Sequence, residues 1–366
     1  MRRDAAVLFA LAAGVAALAL PAGWTTVPVV LWALALLLAV TLLLPSPAPR
    51  EREGPSAQRW EGEGAVAVFG AISGAIALNL ILAPDAPLGF WLGVLALGAI
   101  VWRALERLAA QQGGFFDIAV PVLFGVWLIY LWQLAVVGFA VPPVLLPAPT
   151  QIATVLWASL PILGEDFVQT FIRSMIPGYL IGCGAGFLTG VLVDRVPFWQ
   201  RGLLPIGNLA SALPIVGIAP IMVMWFGFDW PSKAAVVAVM TFFPMLINSI
   251  AGLAALGRIE RDLMRTYGAR YGATLRLARL PAALPFLFNA LKVNSTLALI
   301  GAIVAEFFGT PIMGMGFRIS AGVGRMDIAL VWATIVVAAV TGSAAYGALA
   351  LVERSVTFWH PSFRKA

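Results

Sequence analysis

The sequence predicts an all-α, polytopic membrane protein, and three observations predict it. Of its 366 residues 61% are hydrophobic and 11% are charged, against about 25% charged in soluble domains. The apolar residues gather in runs of about 17 to 25, the length a spanning helix needs. Lys and Arg collect in alternate gaps between those runs, as they do on the cytoplasmic side of a membrane protein. The net charge of +6 is then the basic balance of short cytoplasmic loops rather than a footprint for nucleic acid.

Taken in order, the runs place spans near 5–20, 27–44, 65–83, 88–108, 118–139, 166–193, 203–226, 231–256, 282–308 and 328–352, ten in all. With the N-terminus inside, Arg2, Arg3, Arg50, Arg52, Arg59, Arg103, Arg107, Arg195, Arg201, the arginines of 258–279, Arg354, Arg364 and Lys365 all fall inside. Mainly Lys233, Arg318 and Arg325 remain outside. Both termini are therefore expected in the cytoplasm. Met1-Arg2-Arg3 before an apolar run also fits a signal peptide, but the small-residue triad Ala17-Leu18-Ala19 lies within the run, so an uncleaved helix is the reading taken. Pro45 to Gly64, with four Pro, three Arg and four Glu, reads as a solvated linker between the second and third spans.

In the later spans, Val141-Pro142-Pro143-Val144-Leu145-Leu146-Pro147-Ala148-Pro149 cannot continue a helix and is expected to be an extended connector at the outer surface. Arg173, early in the next run, belongs near the outer boundary or against protein, because an unpaired charge at mid-membrane costs about 2.5 to 3.5 kcal/mol. Cys183 among Gly182, Gly184 and Gly186 reads as close helix packing; as the single cysteine it excludes an internal disulfide. Pro205, Pro214 and Pro220 with Gly207 and Gly217 should kink or break one span, and broken backbone at membrane depth needs protein or a water-filled cavity beside it. That makes the segment around Pro214 a candidate pathway wall, with packing kinks as the alternative. Further on, Asn289, Lys292, Thr296, Leu299, Ile303 and Glu306 recur at spacings of three and four, so they share a stripe that should not face lipid. It is either polar glue between helices or a cavity lining. Lys292 and Glu306 lie about 21 Å apart along the axis, so each needs its own partner.

Between the eighth and ninth runs sits Arg258-Ile259-Glu260-Arg261-Asp262-Leu263-Met264-Arg265-Thr266-Tyr267-Gly268. Ile259, Leu263 and Tyr267 form one apolar face, Arg258, Arg261 and Arg265 a neighbouring one, and Gly268 is a natural left-handed stop. A second short helix is expected over 270–280, ended by Pro281. The pattern is that of a docking surface on the cytoplasmic side.

Catalysis finds no support in the residues. No G-x-x-x-x-G-K-[ST] loop occurs, and 182–190 lacks the lysine and strand of a phosphate cradle. With one His, His360 in the tail, and one Cys, neither a metal cluster nor a Cys/His pair is available. Nothing marks Ser174 or Ser211 as activated. An intramembrane hydrolase, or a secondary transporter working alone, are the readings from other classes; the second would want a midplane proton or sodium site.

The 258–281 loop resembles the signature of permease subunits of bacterial binding-protein-dependent ABC importers, Glu-Ala-Ala, three residues, Gly, nine residues, Ile-x-Leu-Pro. Asp262, Leu263 and Met264 stand at Glu-Ala-Ala, Gly268 at the glycine, and Ala278, Leu280 and Pro281 at the close; Gly, Leu and Pro match, Asp262 keeps the charge, and Leu263, Met264 and Ala278 depart. The flanks 212–220, 225–228 and 243–248 and Leu284-Pro285 are similar to the nitrate/sulfonate/taurine branch. The resemblance covers roughly 118 to 360. It implies a type I importer permease fold with about four extra N-terminal helices: residues 1–112 as the addition, 113–366 as a six-helix core, and 258–281 as the coupling loop. It also implies separate ABC ATPase subunits that bind the ATP, an extracytoplasmic substrate-binding protein, and a second permease copy. The permease itself would lie in the inner membrane amid lipid, with no cofactor, catalytic residue or metal of its own. Residues 290–296, 305–309 and 358–362 look closer still to permeases for thiamine-pyrimidine precursors or riboflavin. Such flat, largely uncharged cargo would suit the amide and hydroxyl of Asn289 and Thr296 better than a positive ring.

Overall fold

The computed structural model describes residues 116–196, 198–199, 202, 214–309 and 312–359, and all elements among them are helical. The first four expected spans and the 45–64 linker lie outside the described residues, as does the expected boundary at 112. By its contacts the chain divides into two units, 1–150 and 151–366.

In the first unit, α1 (Phe116–Gly138) is long and apolar enough to cross a membrane. The proline-rich stretch after it is not extended throughout. Leu145 and Leu146 donate to the Pro142 carbonyl at 2.9 and 3.2 Å, because Pro143 has the φ that the second residue of a tight turn requires. Pro149 then opens α2 (Pro149–Ala158), where its missing N–H costs nothing.

The second unit is built on two continuous 36-residue helices. Leu160–Arg195 comprises α3 (Leu160–Phe167), a π-helical stretch over Val168–Met175, and α4 (Ile176–Arg195). Tyr271–Glu306 comprises α8 (Tyr271–Thr274), a π-helical turn over Leu275–Arg279, and α9 (Leu280–Glu306). Pro281 therefore does not end a helix. A proline ring clashes with the carbonyl four residues back, and the wider π turn just before Pro281 is one way a helix accommodates that without breaking.

Between these helices come α5 (Ile215–Phe226), α6 (Trp230–Ala254) and α7 (Arg258–Thr266). After them come α10 (Met315–Gly324) and α11 (Ile328–Val356). Within the expected 203–226 span, 203–213 lies outside the described residues. Pro214 is extended (φ −70°, ψ 121°) and starts the 12-residue α5, which at about 18 Å is too short to cross a bilayer alone. Gly227 (φ 83°) ends it.

The core is a three-helix packing of α4, α6 and α9. A Cβ on Gly178 would lie 2.5 Å from the Ala234 carbonyl, one on Gly186 2.5 Å from the Phe242 carbonyl, and one on Gly190 2.6 Å from Ser249 Cβ. Gly182 would meet Thr241 and Ala238, whereas Gly184 meets nothing. The close-packing stripe is thus 178/182/186/190, spaced by four, rather than the cluster 182/184/186. Matching positions rise together on α4 and α6, so the two run parallel, with the last turn of α4 and the first of α6 at opposite ends of the bundle. Gly252 against Ala283 and Gly301 against Met240 make α9 antiparallel to α6. Buried Asn294 ties all three, its amide 2.8 Å from the Thr241 carbonyl and 3.3 Å from Cys183 Sγ, the polar glue expected between spans.

Candidate functional site

At the end of the bundle where α6 gives way to α9, α7 starts after Gly257 without a side-chain cap and is closed by a well-made C-terminal turn. Glu260 in the first turn and Arg265 in the last suit the helix dipole. Gly268 (φ 63°) closes it as a Schellman motif: Ala269 N–H donates to the Met264 carbonyl at 3.0 Å and Gly268 N–H to the Arg265 carbonyl at 2.9 Å. No residue of α7 is buried. Ile259, Leu263 and Tyr267 are 83%, 53% and 78% exposed, a free apolar ridge beside exposed Arg258 and Arg265. Arg261 leaves that basic face: it is half-buried and donates to the Leu256 carbonyl at 3.2 Å. Asp262 meets Arg265 at 3.4 Å with both exposed, a weak surface pair. Met264 is half-buried. Leu280 packs onto the core of Cys183, Met245, Leu253 and Leu287, so Leu280 and Pro281 belong to the bundle rather than to the protruding loop.

Three residues after Gly268 stands a cluster that local spacing does not reveal. The Tyr271 hydroxyl donates to Asp194 Oδ2 at 3.0 Å, Arg279 forms an ion pair with the same carboxylate, and the guanidinium groups of Arg195 and Arg279 each lie 5.7 Å from the Tyr271 ring centre. The cue available in the sequence was Asp194-Arg195, adjacent opposite charges closing an apolar run.

The stripe on α9 does not share one environment. Asn289 and Thr296 are exposed, Lys292 is half-buried, and Leu299 and Glu306 are buried. Lys292 Nζ lies 2.6 Å from Glu353 Oε2 on α11. Glu306 belongs to a different cluster, at the opposite end from α7, that captures the start of α10. There Gly314 N–H donates to Asp166 Oδ1 at 2.7 Å, Met315 N–H to Thr170 Oγ1 at 2.8 Å, and Gly316 N–H to Glu306 Oε2 at 2.7 Å. The Thr170 hydroxyl itself donates to Glu306 Oε1 at 2.9 Å, and Arg318 grips Asp166 with two bonds of 2.7 and 3.2 Å. Three orphan N–H groups of a helix start are thereby satisfied, in a polarity that suits two carboxylates. Gly314 is left-handed (φ 126°) and a Cβ there would sit 2.7 Å from the Glu306 carboxylate, so glycine is required. Lys233, fully buried, donates to the Phe228 and Asp229 carbonyls at 2.5 and 3.2 Å, and Arg173 is exposed, 3.4 Å from Gln169. Among the described residues no three His, Cys, Asp or Glu side chains are grouped to hold a metal ion.

Residues 178–358 match the family described as binding-protein-dependent transport system inner membrane component. The chain is 28% identical over 247 residues to the riboflavin transport system permease protein RibX of Chloroflexus aurantiacus, covering 67% of this chain and 91% of that one. It is 29% identical over 245 residues to the formylaminopyrimidine transport permease protein ThiX of Halalkalibacterium halodurans (65% and 95%). The putative aliphatic sulfonates transport permease protein SsuC of Bacillus subtilis is 28% identical over 238 residues (64% and 86%). A solved structure of the MetNI methionine ABC transporter in an inward-facing conformation aligns at 19% identity with a TM-score of 0.45, over 55% of this chain and 97% of that one.

Proposed function

The chain belongs to the inner-membrane components of binding-protein-dependent transport systems, and from that premise we propose that α7 is the surface through which it is driven. It is a multi-pass permease subunit of an ABC importer, a transport component rather than an enzyme, with ATPase and substrate-binding protein as separate partners. ATP-driven closure of the ATPases moves the 258–281 loop, and the core helices rock between inward- and outward-facing states. Ile259, Leu263 and Tyr267 enter an apolar groove on the ATPase, flanked by Arg258 and Arg265. Arg261 and Asp262 orient the helix, Met264 backs it, Gly268 turns the chain, and Leu280 and Pro281 hold the loop to the bundle. The observation that carries this reading is the free apolar ridge: three large side chains at one-turn spacing, more than half exposed, on a helix otherwise strongly charged. Such a ridge gains most by burial against a partner.

In the same reading residues 113–366 are the transport core and 1–112 an accessory addition, both termini are cytoplasmic, and a second permease copy completes the pathway. Asn289 and Thr296, polar and exposed on a membrane-length helix, line that pathway beside Pro214. Lys292 and Glu306, engaged by Glu353 and by Thr170 and Gly316, hold the wall in shape. With the Lys292 cation paired, the lining favours a small, flat, largely uncharged heterocycle of the pyrimidine or flavin kind over a sulfonate or nitrate. The names of RibX and ThiX point the same way. Two measurements test this. Leu263→Asp should abolish co-purification of the ATPase while the permease still inserts; retention of the ATPase refutes the docking role. Cells carrying the full complex should take up labelled riboflavin or formylaminopyrimidine, and transport of taurine alone overturns the cargo.

A further inference from the structure

The ridge on α7 can receive a push but has little with which to pass it on. No residue of α7 is buried, and among the described residues its side-chain tie to the chain outside the helix is the bond from Arg261 to the Leu256 carbonyl. Beyond Gly268 the chain reaches Tyr271, first residue of the helix that continues to Glu306, so α9 is linked to α7 covalently. Span α4 has no such link. It ends in Asp194 and Arg195, and these two side chains meet Tyr271.

We propose that Tyr271, fixed between Asp194, Arg195 and Arg279, is the positioning residue that carries displacement of α7 into α4, so that the two 36-residue helices move together. The proposal rests on the reading of α7 as the ATPase contact. The geometry suits the task. The Tyr271 hydroxyl is 3.0 Å from Asp194 Oδ2 and 3.4 Å from the Val191 carbonyl, which fixes the ring against the last two turns of α4. Two arginines, one from each helix, lie 5.7 Å from its centre, within cation–π range. Arg279 adds an ion pair to Asp194 with side chains only 19% and 14% exposed, sheltered enough that screening is reduced. Arg279 stands on the π-helical turn 275–279, just before Pro281, so the cluster brackets a local irregularity of the kind found at functional hinges. Below it, α4 and α6 are in contact at four glycines, 178, 182, 186 and 190, so a displacement of the end of α4 is transmitted to packed spans rather than absorbed.

The test uses the full permease–ATPase complex in liposomes and no cargo. Spin labels are placed at Leu188 on α4 or Val293 on α9, both exposed, and read without nucleotide and with ATP plus vanadate. In the parent protein both labels should respond. In Tyr271→Ala the ATPase should stay bound and the Val293 label should respond. The two-state equilibrium reported at Leu188 should fall back by roughly two- to thirty-fold, the range for residues that carry coupling without touching a ligand. Tyr271→Phe, which keeps the ring and loses the Asp194 bond, should lie between. The exchange Asp194→Arg with Arg279→Asp should recover part of what Asp194→Asn loses. A Leu188 label that responds as in the parent when Tyr271→Ala or Asp194→Asn is present, or that never responds, overturns the relay. So does loss of the ATPase from Tyr271→Ala, which would put Tyr271 in the docking contact itself. Failure of the docking reading shows separately, as ATPase retained by Leu263→Asp.

Discussion

The pair Lys292–Glu353 offers the most direct test of how the spans are held. Lys292 lies about 18 Å along α9 from Leu280, and Glu353 stands in the last turn of α11, so the lysine stem reaches back toward the loop end of the bundle to meet the carboxylate at 2.6 Å. The side chains are 17% and 10% exposed, and Tyr346 lies 6.0 Å from the ammonium. Glu353→Leu leaves that ammonium unpaired. Breaking a buried pair from one side costs about 3 to 5 kcal/mol, and an unpaired cation at mid-membrane about 2.5 to 3.5 kcal/mol; the two ranges meet near 3 kcal/mol. The double replacement Lys292→Met with Glu353→Leu removes both charges and should return to within about 1 kcal/mol of the parent. Denaturant titration of all four proteins in one detergent gives the cycle. A cost below about 1 kcal/mol for Glu353→Leu would show that the stem reaches water and that the pair is worth no more than a surface ion pair. A double variant as unstable as the sum of the singles would refute the pairing itself.

At Gly268, valine must adopt φ 63° at a cost of about 1 to 2 kcal/mol or more, so Gly268→Val should lose uptake while inserting normally, and Gly268→Asn should be tolerated; equal uptake by both ends the argument from the turn. Gly182→Leu should reduce the yield of folded, monodisperse protein by forcing α4 off α6, whereas Gly184→Leu, with nothing within 4 Å, should not; size-exclusion profiles decide it. Topology reporters fused at residues 1 and 366 should both register the cytoplasm, and an external signal from either overturns the assigned orientation.

Span positions were the most legible feature. The expected 231–256 became Trp230–Ala254, and 328–352 became Ile328–Val356, because each run is long, apolar and bounded by charge. Hydropathy reports what a segment is buried in, not how its backbone is wound. Hence hydropathy carries no sign of either π-helical stretch, and Pro281, which in sequence looks like an end, lies within a continuous helix. The left-handed turn at Gly268 was legible for the opposite reason: it depends on one residue's φ and on neighbours within five positions. The cluster at the start of α10 was illegible because, the Gly316–Glu306 bond apart, its partners are 136 to 152 residues apart in sequence. Spacing on α9 did group Glu306 with Asn289 and Thr296, yet helical periodicity fixes an angle around the axis and leaves open what each level of the helix meets.

The two ends of the second unit are held by different physics. At the end away from α7, Asp166 and Thr170 are fully buried and Glu306 nearly so, and each is bonded both to the α10 backbone and to a further side chain. Removing any one strands a buried donor or carboxylate, at about 1 to 3 kcal/mol for a neutral group and more for a charge. That arrangement resists small displacements, since several short bonds of 2.7 to 2.9 Å would have to lengthen together. At the α7 end the ties are fewer and reach no backbone N–H: the Tyr271 hydroxyl bond to Asp194, the sheltered Arg279–Asp194 ion pair and two cation–π contacts at 5.7 Å. The proposed rocking would use both kinds of end, one keeping its helices in register while the other yields to a push. The distribution of buried charge along α9, from Lys292 toward the yielding end to Glu306 at the fixed one, is how this sequence supplies the difference.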